Sequence, residues 1–150
     1  MSTSSRPKHG SYLMPALEHA TVSDAMHPGI LSCEPDAPLS EAARMMATNH
    51  VHSLAVIGVS QQEPEMGVWG IISDLDLLRA GISGGGEPTA RVLAAEPLVT
   101  VQPAMPLREA AELMLAQQTS HVVVVEPATE RPVGILSTLD IAGVLAWGEA

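Results

Sequence analysis

An α/β (α+β) fold made of two pseudo-symmetric copies of one unit is predicted by three observations. The stretch Pro38-Leu39-Ser40-Glu41-Ala42-Ala43-Arg44-Met45-Met46 returns 68 positions later as Pro106-Leu107-Arg108-Glu109-Ala110-Ala111-Glu112-Leu113-Met114. Each copy leads through an apolar run to a closing segment, Gly70-Ile71-Ile72-Ser73-Asp74-Leu75-Asp76 or Gly134-Ile135-Leu136-Ser137-Thr138-Leu139-Asp140. Within each copy a helical period alternates with short β-like runs, giving the order helix, strand, helix, strand, strand, helix. A repeated unit usually buries its apolar face against its copy, so the junction of the copies is where a site is expected.

Residues 1–20 stand outside the repeat. Met1–Ser11 reads as a polar, disordered tail and Tyr12–His19 as a short helical lead-in. Thr21 then N-caps a short helix that ends at Met26 and is closed by His27-Pro28-Gly29; its counterpart is Ala90–Leu93, ahead of Glu96-Pro97. Ile30–Cys33 and Leu98–Val101 follow as short strands. In the main helices Leu39, Ala42, Ala43 and Met46 fall at i, i+3, i+4 and i+7, and Leu107, Ala110, Ala111 and Met114 reproduce the stripe. A proline is expected at N1 of each, and the central alanines allow close backbone approach. Leu54–Ile57 and Val122–Val125 are strands that hairpin back into Gly67–Ser73 and Val133–Ser137. The loop of the first copy is four residues longer, because the offset between copies falls from 68 to 64. Final helices are expected over Asp74–Ile82 and Thr138–Trp147. The repeats thus span 21–82 and 89–147, joined by a flexible linker at 83–88, Ser-Gly-Gly-Gly-Glu-Pro.

Bulk properties narrow the function. The 150 residues suffice for one shared core, with 46% hydrophobic residues but no Phe, so Ala, Val, Leu, Ile and Met must fill it. A net charge of −10 argues against nucleic acid and anionic membrane surfaces as partners. One cysteine forms no intramolecular disulfide, the polar start has no signal-like apolar region, and no run approaches the ~20 apolar residues that span a bilayer. A cytoplasmic location is expected.

These residues resemble a tandem pair of cystathionine-β-synthase (CBS) domains, a Bateman module. The resemblance is carried by Val22-Ser23-Asp24-Ala25-Met26, by the Pro-x-x-Pro-Leu-x-Glu-Ala-Ala segments from Pro35 and Pro103, and by the two Gly-hydrophobic-hydrophobic-Ser-x-x-Asp closings. It implies repeats packed sheet to sheet about a pseudo-twofold axis, clefts for adenosine-containing ligands between them, and dimerisation through helices. It also implies that Ser73 with Asp76, and Ser137 with Asp140, contact ligand phosphate and ribose. Ile30, Leu31 and Ser32, with Leu98, Val99 and Thr100, would meet the adenine. The chemistry suits those roles, since a carboxylate accepts from ribose hydroxyls and a hydroxyl at a helix start favours an anion. Ser-x-x-Asp opening a helix is equally a capping box, and the two roles can coexist.

The chain departs from the family where phosphate would be held. An Arg often found between the Ser/Thr and Asp of the closing motif is replaced by Asp74 and Leu75, or by Thr138 and Leu139. Asp74 places an extra negative charge at the first site. A basic residue often found ahead of the middle strand is Ser53 in one copy and His121 in the other. Arg79 either returns along its helix to a phosphate or lies in solvent, its counterpart being Gly143; Arg91 and Arg131 are further cations that the sequence does not place. Unequal sites are therefore expected, with phosphate preferring the one that draws on His121, Arg79 or Arg131. AMP or ADP fits better than ATP, and S-adenosylmethionine, a cation, suits the acidic surroundings; NAD completes the set of adenosine ligands.

Other constellations carry less. Cys33 aligns with Val101 and reads as a small core hydrophobe. His50 and His52 lack a partner at zinc-motif spacing and read as a solvated helix end, and Gly84-Gly85-Gly86 lacks the Gly-Lys-Ser/Thr of a P-loop. With no recognisable nucleophile-and-base set, the expectation is a non-enzymatic, homodimeric sensor of an adenosine-containing ligand, needing no cofactor, that acts on an unidentified effector protein. The alternative is a ligand-free interaction scaffold.

Overall fold

The computed structural model describes residues 8–9, 12–58, 67–94 and 98–149, with side chains from Met14 onward. The chain divides into two compact units. One is continuous, Ile30–Val99; the other combines the chain up to Gly29 with the chain from Thr100.

In the continuous unit, β4 (Ser32–Cys33), β5 (Ser53–Gly58) and β6 (Gly67–Ser73) form one sheet in the order β4-β5-β6. β4 runs parallel to β5 and β6 antiparallel to it, with Ser32 opposite Ala55 and Ser53 opposite Ser73. Leu54, Ala55 and Val56 are all fully buried, a run expected of a strand covered on both faces. The helix α2 (Leu39–Asn49) buries Ala42 and Met46 against this sheet and ends on His50 in the left-handed region, φ 54°. Pro38 occupies the N-cap rather than the expected N1 and offers no side-chain cap. The freed donors are met from 83–88: Leu39 N–H donates to the Pro88 carbonyl (3.0 Å) and Ser40 N–H to Glu87 Oε1 (2.9 Å). The Ser40 side chain first, and then this backbone N–H, hold the Glu87 carboxyl below its ordinary range. The segment expected to be a free linker is thus anchored at one end. Its first residue, Ser83, completes α3 (Asp74–Ser83), which Gly84 closes at φ 67°. α4 (Ala90–Leu93) packs on β6, and Arg91 lies 5.4 Å above the ring of Trp69, whose Nε1–H donates to the Gly58 carbonyl.

In the other unit, β1 (Lys8–His9) pairs with β2 (Tyr12–Leu13), followed by α1 (Val22–Ala25) and β3 (His27–Pro28). From Thr100 come β7 (Thr100–Val101), α5 (Leu107–Gln117), β8 (His121–Glu126), β9 (Arg131–Ser137) and α6 (Thr138–Trp147). The sheet order is β3-β9-β8-β7, with β7 parallel to β8 and the other pairs antiparallel. Val22, Val101, Leu107, Ala110, Val122, Val123, Val124, Leu136 and Val144 make its core, each at most 2% exposed. α1 lies against α5 and α6. The helix ahead of the first repeat's strands therefore serves the unit built from the second, while α4, which opens the second repeat, serves the first.

The structure corrects further expectations. No helix forms over Tyr12–His19: Tyr12–Leu13 is a strand, and a turn occupies 17–19. Pro15 disfavours a helical Met14, and the neighbouring backbone is taken by Glu149, whose carbonyl accepts from Ala16 N–H at 2.6 Å. The strands expected at Ile30–Cys33 and Leu98–Val101 shorten to their last two residues. Pro106, like Pro38, is an N-cap. The disordered tail expected at Met1–Ser11 lies, except for Lys8 and His9, outside the described residues.

Cys33 is 5% exposed, and burial, then Glu41, then Glu34, push its thiol up to about 11. Folding favours the neutral thiol, so this contribution to stability is complete below the ordinary thiol range and is lost as pH rises toward the raised value. Denaturant melts are expected to show a steeper alkaline decline for the wild type than for Cys33→Val, and native protein is expected to resist alkylation at neutral pH.

Candidate functional site

The closing motif builds the same cradle in each unit. Ser73 is the N-cap of α3: its Oγ accepts from Asp76 N–H (3.2 Å), and Asp76 Oδ2 accepts from Ser73 N–H (2.9 Å). Ser137 caps α6 in the same way, with distances of 3.2 Å and 2.8 Å. The capping-box reading is therefore satisfied in full. It uses one carboxylate oxygen of each aspartate. The other, Oδ1, faces a nitrogen of a mostly exposed side chain, although the carboxylates themselves are only 3% and 6% exposed.

The companions differ. Arg79 Nη1 lies 3.5 Å from Asp76 Oδ1, one helical turn along α3. His27 Nδ1 lies 2.9 Å from Asp140 Oδ1, and His27 arrives on β3 rather than on α6. The first cradle also holds Asp74, the expected source of repulsion, but its Oδ2 sits 2.9 Å from His52 Nδ1. Its N–H donates to the His52 carbonyl. Asp74 is thus joined to His52 through both side chain and backbone.

Strand register decides which other expected residues share the cradles. His121 is directly opposite Ser137, so the two side chains leave the same face of the sheet, and the His121 Nδ1 lies 2.9 Å from Ser120 Oγ. Ser32 pairs with Ala55, on the face that carries Ser53 and Ser73; Thr100 pairs with Val123, on the face that carries His121 and Ser137. Each lies two strands from its serine, about 10 Å across the sheet. Leu31 lends its carbonyl to Ala55 N–H, which occupies that backbone acceptor inside the sheet. Ile30 and Val99 are half-buried and Leu98 is 41% exposed, all just ahead of their strands. Arg131 is not brought to Ser137. It pairs with Glu126 at the turn end of the β8–β9 hairpin, six residues or about 20 Å from the cradle. Arg91 is committed to Trp69.

Sequence reasoning missed His27 and His52. His52 was legible, because the pairing of Ser53 with Ser73 sets residues 52 and 74 beside each other. His27 left no local signal: 113 positions separate it from Asp140, and its counterpart at the 68-residue offset is Ala95.

Two copies of a Ser-x-x-Asp helix cap, each on a βαββα unit, define a tandem repeat protein. The family model for the CBS domain matches residues 22–83 and again 91–146. The CBS domain-containing protein YhcV of Bacillus subtilis (strain 168) is 30% identical over 127 residues, covering 82% of this chain and 84% of the relative. The chain belongs to the CBS-domain family, as a tandem pair. Among solved structures it is similar to hypoxic response protein I with two coordinated zinc ions (26% identity, TM-score 0.65, covering 82% of this chain and 97% of that one). The CBS domain pair of protein MJ0100, in complex with 5′-methylthioadenosine and S-adenosyl-L-methionine, matches at TM-score 0.70 and 21% identity, covering 85% and 96%. CBSX2 in complex with AMP matches at TM-score 0.62 and 24% identity, covering 81% and 93%. Among the described residues, no three His, Cys, Asp or Glu side chains gather as a metal site.

Proposed function

We propose that this CBS pair is a cytoplasmic, non-catalytic regulatory protein that binds an adenosine-containing ligand at its Ser-x-x-Asp cradles, AMP or ADP in preference to ATP. The observation that carries the reading is the state of Asp76 and Asp140. Each is buried and held by its own helix cap, with Oδ1 directed to an exposed side chain, the Arg79 guanidinium or the His27 imidazole. A carboxylate oxygen accepts more than one hydrogen bond, so ribose hydroxyls can join these partners. The absence of an Arg within either closing motif weakens the case for a polyphosphate. The relatives solved with AMP, 5′-methylthioadenosine and S-adenosylmethionine support the ligand class. S-adenosylmethionine and NAD are the competing members. Thermal unfolding with AMP, ADP, ATP, NAD and S-adenosylmethionine tests it. A true ligand at ~100 times its dissociation constant adds ~2.7 kcal/mol, about 5–11 °C for a chain of this size. If all five leave the midpoint unmoved at saturation, the scaffold reading takes its place.

A homodimer is part of the proposal. Leu75, Leu78 and Ile82 form one exposed stripe along α3, and α6 is apolar around most of its circumference yet buries only Val144. Helices of this kind are normally covered, and a second copy supplies matching surfaces. Sedimentation is expected to give twice the chain mass, with Leu78→Glu shifting the protein toward monomer. Output then passes to an effector protein through any difference in ligand affinity between two conformations.

A further inference from the structure

Asp76 and Asp140 do the same structural work in different company. Beside Asp76 stands the guanidinium of Arg79, a side chain that stays charged throughout the physiological range. Beside Asp140 stands the imidazole of His27. Because the carboxylate is an acceptor, the His27 Nδ1 at 2.9 Å carries the proton. Nε2 of the neutral ring is then an acceptor, and protonation turns it into a second donor. Asp140 is 6% exposed and His27 78%, so the buried carboxylate anchors a ring that mostly faces solvent.

The placement is built into the backbone. β3 lies against β9 with His27 opposite Ile135, two residues before Ser137 on the same face, and the approach is so close that a Cβ on Gly134 would fall 2.5 Å from the His27 carbonyl oxygen. Asp140 on α6 is the titratable group bonded to the ring, and His121 on β8 stands on the far side of β9, two strands away. Asp24 on α1 accepts from the Thr21 N–H and hydroxyl. No arginine stands where Arg79 does in the other unit, since that position is Gly143.

We infer that His27 is a specificity-determining residue of the Asp140 cradle: its imidazole makes the preference for a phosphate-bearing adenosine over adenosine itself grow as the ring takes up a proton, whereas Arg79 supplies that preference to the Asp76 cradle at every pH. The inference rests on the adenosine reading given above. It assigns the two cradles different ligand responses under one change of conditions. A purely structural His27, tying β3 to α6, would instead act equally on both ligands and at any pH.

The test is calorimetric titration of the full chain with AMP and with adenosine at about pH 6 and about pH 8, for the wild type, His27→Gln and Arg79→Gln. Glutamine keeps a donor for Asp140 but cannot gain a proton. Wild-type affinity for AMP is expected to exceed that of His27→Gln by roughly fivefold at the lower pH and to approach parity at the higher. Adenosine is expected to show no such change. The ionisation of AMP and of His121 is common to both proteins and cancels in the ratio. Arg79→Gln is expected to lose AMP affinity by the same factor at both pH values. A wild-type to His27→Gln ratio for AMP that is equal at both pH values overturns the inference while leaving the adenosine reading intact. Failure of the wild type to bind either ligand overturns both.

Discussion

Asp140→Ala is expected to lower stability and ligand affinity together. It leaves the Ser137 N–H without its acceptor and His27 without its anchor, at a cost of about 1–3 kcal/mol for the cap. It also removes a charged acceptor for ribose, so AMP affinity should fall by at least about tenfold at that cradle. Asp140→Asn separates the effects, because its amide oxygen can still accept from Ser137 N–H. Thermal melts should then recover most of the stability while calorimetry still shows weakened AMP binding. If Asp140→Asn binds AMP as the wild type does, the carboxylate is a helix cap alone. The loss at Asp140 is expected to exceed that for Asp76→Ala, since His121 stands opposite Ser137 while Ser53 stands opposite Ser73.

Gly134→Ala is expected to be comparably disruptive although it adds a single methyl group. The new Cβ would lie 2.5 Å from the His27 carbonyl oxygen and 3.0 Å from Met26 Sδ. The methionine can give way; the backbone oxygen belongs to a strand paired on both its residues. Relief therefore requires β3 to leave β9, at about 1–3 kcal/mol for the overpacking. His27 is carried away from Asp140 in the process. The expected result is a lower midpoint together with an AMP affinity that no longer depends on His27. In the variant background, a further His27→Gln should have no effect. Additive losses in the double mutant would show that the pair survives and that β3 has not moved.

Much of the architecture was written in the repeat itself. The stripes Leu39/Ala42/Met46 and Leu107/Ala110/Met114 marked the main helices because burial follows the 3.6-residue period. The runs at Leu54 and Val122 marked strands because their neighbours on both faces are apolar. Ser73, Asp76, Ser137 and Asp140 stood out because cap chemistry has a fixed local spacing. What failed depended on distant partners. Tyr12–Leu13 has no helical fate because its backbone pairs with Lys8–His9, and Arg131 was drawn toward the cradle by charge although hairpin geometry places it at the opposite end. His27 was passed over because the strand that presents it is two residues long and is defined only by β9.

The exchange of opening helices sets an order of assembly during synthesis. Ile30–Val99 holds everything its unit needs, so that unit can close while the ribosome is still making the rest. The segment containing Val22 and His27 emerges earlier yet must wait, its apolar side unmet, until Leu136 and Val144 have been translated. A chain that stops at Val99 would therefore release a finished unit carrying an orphaned, sticky leader, and splitting the gene between the repeats would misassign both helices.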